Sequence, residues 1–258
     1  MAPSVARASA RQESPDPTYR LHRVLTSSDA ESGRKARHTY GRRKGHPLTA
    51  SQVQRLDVMM PHLRPDLSGP APAPLTNVFG PGIRDVWLEI GFGGGEHLAW
   101  QAAHNPDVGM IGAEPFLNGQ ASLATHIEDG GLANVRLYDD GVQDLLAWLP
   151  PASIGRAFIL FPDPWPKKRH IKRRIVSPKT LVALARVMVP GAELRVATDI
   201  GEYVRTTMLA IHNSPDFIWP AMGPAEWCER PADWPPTRYE AKAVTAGRKC
   251  HYFRFLRR

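Results

Sequence analysis

From Asp85 onward the chain alternates short apolar, strand-like runs with helix-compatible stretches, and this alternation restricts the fold more than any other feature of the 258 residues. Strands are expected near residues 85–90, 110–114, 134–138, 156–161 and 192–198, with helices between them. Strands joined through helices run parallel, and the apolar runs need cover on both faces, so the expected class is α/β, a doubly wound sheet with helices on both sides. Arg248 to Leu256 alternates well enough to add a final strand. A chain of this length and 42% hydrophobic content supports one main domain, burying roughly 75% of its unfolded surface.

The expected organisation is a tail over 1–33, a basic arm and connector over 34–84, and the α/β domain over 85–258. The tail is polar, unpatterned and rich in Pro, Ser and Arg, a composition that favours disorder. Arg34 to Lys44 carries six Lys/Arg and no acid. A helix is expected over Thr49 to Met60, where Thr49 and Ser51 offer cap hydroxyls, and a proline-rich, irregular connector follows to Gly82. The net charge of +8 favours an anionic partner, nucleic acid ahead of membrane, because no basic amphipathic helix with a long apolar face is evident. No window of about 18 apolar residues exists to span a bilayer. The first twelve residues lack the apolar core of a secretory signal. Cys228 and Cys250 are too far apart for a C-x-x-C site, and their sparing use suits a reducing cytosol, so a cytoplasmic protein without a metal centre is expected.

Two constellations carry chemistry. In the first, the apolar run Ala157 to Phe161 ends in Pro162-Asp163-Pro164-Trp165-Pro166, whose prolines stop the sheet and present Asp163 and Trp165 at a strand's carboxyl end. Open α/β sheets bind ligands at that edge. Lys167-Lys168-Arg169-His170-Ile171-Lys172-Arg173-Arg174 follows, with six Lys/Arg in eight residues, a density suited to a phosphate backbone or, more blandly, to a solvated face. In the second, Asp85 to Ile90 runs into Gly91-Phe92-Gly93-Gly94-Gly95 and a helix-compatible Glu96-His97-Leu98-Ala99-Trp100. A dinucleotide fingerprint would need glycine where Glu96 stands. The spacing fits G-x-G-x-G, the turn of nucleoside-methionine binding proteins. Glu114 closes the next strand, placed to accept from both hydroxyls of a ribose.

Together these residues resemble the bacterial tRNA (guanine-N(7)-)-methyltransferases. The resemblance spans roughly Tyr40 to Arg258 and rests on Leu88-Glu89-Ile90-Gly91-Phe92-Gly93, Gly112-Ala113-Glu114, Phe161 to His170, Ala197-Thr198-Asp199 and Thr237-Arg238-Tyr239-Glu240. It implies a class I methyltransferase-like, mostly parallel seven-stranded sheet with its last strand antiparallel. It further implies that S-adenosyl-L-methionine is held by Glu89, Gly91, Gly93, Gly95, Glu114 and Asp163, with Asp163 at the reacting centre. Lys167, Asp199, Thr237, Arg238, Tyr239 and Glu240 would contact the substrate, and Arg169, His170, Ile171, Lys172, Arg173 and Arg174 the RNA. One position departs from the pattern: Gly141 stands where the family has an acid, and Asp140 is taken as its substitute against the adenine.

The implied reaction makes simple demands. Guanine N(7) has an in-plane lone pair and no proton, so methyl transfer to it needs no general base and depends on positioning. The product purine is cationic, so a nearby carboxylate such as Asp163 favours it, or else orients the methionine amine. The N1–H and exocyclic amine are donors that an acid such as Asp199 or Glu240 would accept, while Trp165 or Tyr239 could stack on the ring. Structural roles are open beside these: Tyr239 in the core, Glu240 paired with Arg238, Asp199 capping a helix over Ile200 to Met208. Rival functions are a methyltransferase for another RNA base or amine, and a non-catalytic RNA-binding protein on the same fold. An amine methyltransferase would place Asp-Pro-Pro-aromatic after the fourth strand, and here the second proline is missing. The implied partner is tRNA, without a membrane or an obligate protein partner, the protein being a monomer or homodimer.

Overall fold

The computed structural model describes Gly41 and residues 43–258. The expected tail and residues 34–40 and 42 of the basic block lie outside the described residues. Helix α1, Ala50–Leu63, starts where the hydroxyls predicted it: the Thr49 side chain accepts from Gln52 N, and the Gln52 side chain accepts from Thr49 N, a capping box. It runs three residues beyond the expected end and includes Pro61. The connector that follows contains a single 3-10 turn, Leu75–Val78.

The α/β part follows in order: β1 Asp85–Ile90, α2 Glu96–His104, β2 Val108–Ala113, α3 Leu117–Gly130, β3 Val135–Tyr138, α4 Val142–Trp148, β4 Ile154–Leu160 and a 3-10 turn Lys168–Arg173. Then come α5 Pro178–Val187, β5 Met188–Thr198, α6 Gly201–His212, β6 Phe217–Ile218, α7 Ala225–Cys228, α8 Arg238–Thr245 and β7 His251–Arg257. The seven strands form one sheet in the order β3-β2-β1-β4-β5-β7-β6. Strands β1 to β5 are mutually parallel, and β7 is antiparallel to both β5 and β6, as the resemblance implied. The two-residue β6 was not legible in the sequence, being too short for any periodicity to register.

Alternation along each strand sorts residues to two cores. Val86, Leu88 and Ile90 of β1 and Ala157 and Ile159 of β4 face a core shared with α4, α5 and α6. Trp87 of β1 and Phe158 and Leu160 of β4 face the other, shared with α2, α3, Trp234 and α8. Glu89 has the parity of Trp87, so it points toward α2. The strand order reverses between β1 and β4, the place where doubly wound sheets open a crevice at their carboxyl ends.

Candidate active site

Strand β1 ends at that crevice and delivers the chain into the glycine turn. Gly91, Gly93 and Gly95 all have positive φ, at 74°, 58° and 82°. An added Cβ at Gly91 would meet nothing within 4 Å, whereas one at Gly93 would sit 2.8 Å from the Tyr239 ring. The turn is therefore open to a ligand at one glycine and closed against α8 at another. Its other support was missed in the sequence: Gly119, in the first turn of α3, packs so closely that a Cβ there would lie 2.1 Å from the Gly93 carbonyl oxygen.

Glu114, at the end of β2, takes the Gly93 N–H on Oε2 at 2.9 Å and the Phe116 N–H on Oε1 at 3.0 Å. Burial pushes its carboxyl above the ordinary carboxylate range, against those two donors, and the charges of Asp163 and Glu89 add to the rise. The carboxylates of Glu89, in β1, and Asp163, in the turn after β4, thus lie near enough to Glu114 for their charges to act on it. Glu89 is 2% exposed and accepts from His97 Nδ1 at 2.7 Å. That bond leaves His97 Nε2 to accept from Gln101 Nε2 at 3.2 Å, and the same amide donates to the Asp233 carbonyl at 2.8 Å. The chain of bonds runs from Glu89 in β1 to the segment that leads into α8. Sequence reading saw His97 only as part of a helix-compatible stretch, since the chain of bonds it joins closes at Asp233, 132 residues beyond Gln101.

Asp163 is exposed, in a turn whose backbone is unusual: Phe161 and Trp165 have φ of 47° and 41°, costing on the order of 1–3 kcal/mol each. The Trp165 ring is met edge-on by His170, with centroids 5.7 Å apart, and lies under the Arg173 guanidinium at 5.0 Å. Lys167, Arg169 and Lys172 are exposed, and His170, Ile171 and Arg173 partly so. Arg174 stands apart from the rest of the run. It is only 4% exposed and spends its guanidinium on Pro164 O, Thr206 Oγ1 and Glu202 O at 3.0, 2.9 and 3.3 Å. Its guanidinium therefore faces the interior of the protein.

The remaining positions divide between the β5 and α8 side and the end of β3. Asp199 takes Arg248 Nε at 2.6 Å and caps nothing: α6 has Ile200 as its N-cap with no side-chain bond. Thr237 caps α8, its side chain accepting from Glu240 N. Glu240 pairs with Arg230 at 3.1 Å and accepts the Tyr252 hydroxyl at 2.5 Å, whereas Arg238 reaches Glu96 at 3.4 Å. Tyr239 is 40% exposed, so it stands outside the core. Asp140, after β3, accepts from Gly141 N at 2.7 Å and pairs with Arg43 of the N-terminal arm. Among the described residues no cluster of His, Cys, Asp or Glu could hold a metal ion, and no helix is long and apolar enough to cross a membrane.

Residues 84–253 match the model of a family described as putative methyltransferase. The chain is 48% identical to the tRNA (guanine-N(7)-)-methyltransferase of Rhodospirillum rubrum over 222 residues, covering 85% of this chain and 87% of that one. It is 49% identical to the protein so named in Ruegeria pomeroyi, covering 87% and 96%, and 44% identical to that of Rhizobium meliloti, covering 89% and 99%. Among solved structures it is similar to the 16S rRNA methyltransferase KamB, with 18% identity, a TM-score of 0.47, and coverage of 73% of this chain and 95% of that one. With identity near one half across most of its length and of theirs, the chain belongs to the tRNA (guanine-N(7)-)-methyltransferase family.

Proposed function

We propose that this protein transfers a methyl group from S-adenosyl-L-methionine to N(7) of a guanine in the variable loop of tRNA, forming 7-methylguanosine, and that it does so in the cytoplasm. The observation that carries the reading is the convergence of Glu89, Glu114 and Asp163 around an open glycine turn in a chain so close to relatives of that name. The donor set fits the cofactor. Glu114 is held by two backbone N–H groups with lone pairs left on both oxygens for a ribose diol, and the glycine at 91 leaves backbone exposed for close approach. When bound, the cofactor supplies an electrophilic methyl group on a cationic sulfur.

The protein's own contribution is placement and charge. Asp163, exposed at the end of β4, lies where a carboxylate favours positive charge arriving on a purine. Both contacts of Glu240 fall on Oε1, which leaves Oε2 for the donor edge of guanine, and Asp199, held by Arg248, is the second acid offered to that edge. Tyr239 offers an exposed ring on which the base can stack. Lys167 and the exposed cations of the 168–173 turn supply the phosphate contacts. Asp140, already paired with Arg43, is the acid nearest the position that Gly141 leaves without one. The test is mass analysis of nucleosides from tRNA incubated with the protein and S-adenosyl-L-methionine. We expect 7-methylguanosine at one variable-loop position; a methylated adenosine, or an exocyclic-amine product, overturns the assignment.

A further inference from the structure

We propose that Arg174 is a positioning residue that holds the Asp163 turn, and is not a contact for the phosphate backbone. The inference rests on the reading of Asp163 as the group at the reacting centre. The basic run presents its last member differently from the others. Lys172 is exposed and Arg173 partly so, but Arg174 closes the 3-10 turn with a backbone N–H to Ile171 O and turns its side chain inward.

Each part of the guanidinium has an acceptor. Nε donates to Pro164 O at 3.0 Å, and Nη2 lies 3.4 Å from Trp165 O. Nη1 donates to Thr206 Oγ1 at 2.9 Å and to Glu202 O at 3.3 Å, with the Glu202 carboxylate 3.8 Å away and the Tyr203 ring 5.4 Å from Cζ. Two of these acceptors are the carbonyls directly after Asp163, and the others lie on α6, the helix that follows Asp199. The guanidinium therefore ties the turn bearing one acid to the helix that begins beside another. The turn needs such a tie. Non-glycine residues with positive φ at both ends, Phe161 and Trp165, persist only where surrounding contacts over-determine them. The Phe161 N–H to Ala197 O bond at 2.8 Å fixes the first end and Arg174 the second. Drawing this cation out to a phosphate would strip contacts from a buried charge, a loss that a phosphate in water does not offset. Lysine cannot substitute, because a point charge lacks the fork that reaches carbonyls and hydroxyl at once.

The experiment compares Arg174→Lys and Arg174→Ala with Lys172→Ala in three measurements: steady-state methylation of tRNA, filter binding across salt, and amide hydrogen exchange of the free protein. For Arg174→Lys we expect kcat to fall by roughly 10- to 100-fold with KM for tRNA unchanged. Exchange should accelerate in the peptide covering residues 161–167, and the plot of log affinity against log salt for Arg174→Ala should parallel that of wild type. Lys172→Ala should instead flatten the salt plot by about 0.7–0.9 units. Wild-type turnover together with wild-type exchange in Arg174→Lys overturns the inference, as does a salt plot flattened in Arg174→Ala by as much as in Lys172→Ala. If Arg174→Lys does not fold, Thr206→Val removes one anchor and leaves the charge; unchanged exchange at 161–167 in that variant equally overturns it. Should wild-type protein form no 7-methylguanosine, the reading of the reaction fails, and the exchange data still decide whether Arg174 holds the turn.

Discussion

At the scale of residues, Glu114, the proposed acceptor for the ribose, sits where the fold opposes its ionisation. Burial raises its carboxyl while two backbone N–H groups pull the other way, and burial prevails. The folded chain therefore binds that proton more tightly than the unfolded chain. Protonation at 114 stabilises the fold below the ordinary carboxylate range, and this contribution is lost as pH rises through the elevated value. Ribose hydroxyls need the ionised acceptor, so affinity for S-adenosyl-L-methionine should decline as pH falls through that same elevated value. Glu114→Gln should lose that decline, and Glu114→Ala should weaken binding by about 1–3 kcal/mol at neutral pH. Calorimetric titrations at several pH values decide it: equal pH dependence in Glu114→Gln and wild type removes Glu114 from the ribose site.

At the scale of elements, the glycine turn is shaped as much by α3 as by its own sequence. With a Cβ at position 119 falling 2.1 Å from the Gly93 carbonyl oxygen, Gly119→Ala must push helix and turn apart. We expect it to cost about 1–3 kcal/mol of stability through overpacking and to reduce cofactor affinity with it, because the carbonyl that moves belongs to the residue whose N–H holds Glu114. Thermal unfolding with and without S-adenosyl-L-methionine tests this, and an unchanged melting temperature with full protection by the ligand refutes it. Helix α1 follows the same logic in reverse. Its start is purely local, set by the Thr49 capping box, whereas its partners Ala121 and Ala124 on α3 are tertiary.

At the scale of the whole molecule, the segment that feeds α8 is fastened to the sheet from below. Asp233 reaches Arg195 at 2.8 Å, and Trp234, 2% exposed, packs near the His97 and Tyr252 rings. His97 joins this segment to Glu89 through Gln101. Replacing it by leucine removes the donor from a buried carboxylate, so His97→Leu should destabilise the protein by about 1–3 kcal/mol and weaken the cofactor site together with the α8 residues. Denaturant unfolding and cofactor titration check the two halves; an unchanged midpoint rules out the linkage.

What the sequence by itself determined was what depends on near neighbours. The parallel strands were legible because burial on both faces leaves continuous apolar runs, the α1 start because its cap lies within three residues, and the glycine turn because only that residue type sustains successive positive φ. The acids at strand ends were legible for a related reason: a doubly wound sheet sends every strand's carboxyl end to the same edge. Only the tertiary structure decided which cation of the basic run points inward, that Glu240 pairs with Arg230 and not with Arg238, that Asp199 meets Arg248 and caps nothing, and that Asp140 meets Arg43. These choices depend on pairings between residues far apart in the chain. Charge and spacing within the run from Lys167 to Arg174 are nearly uniform, and it is the packing of α6 beneath its last residue that sets Arg174 apart.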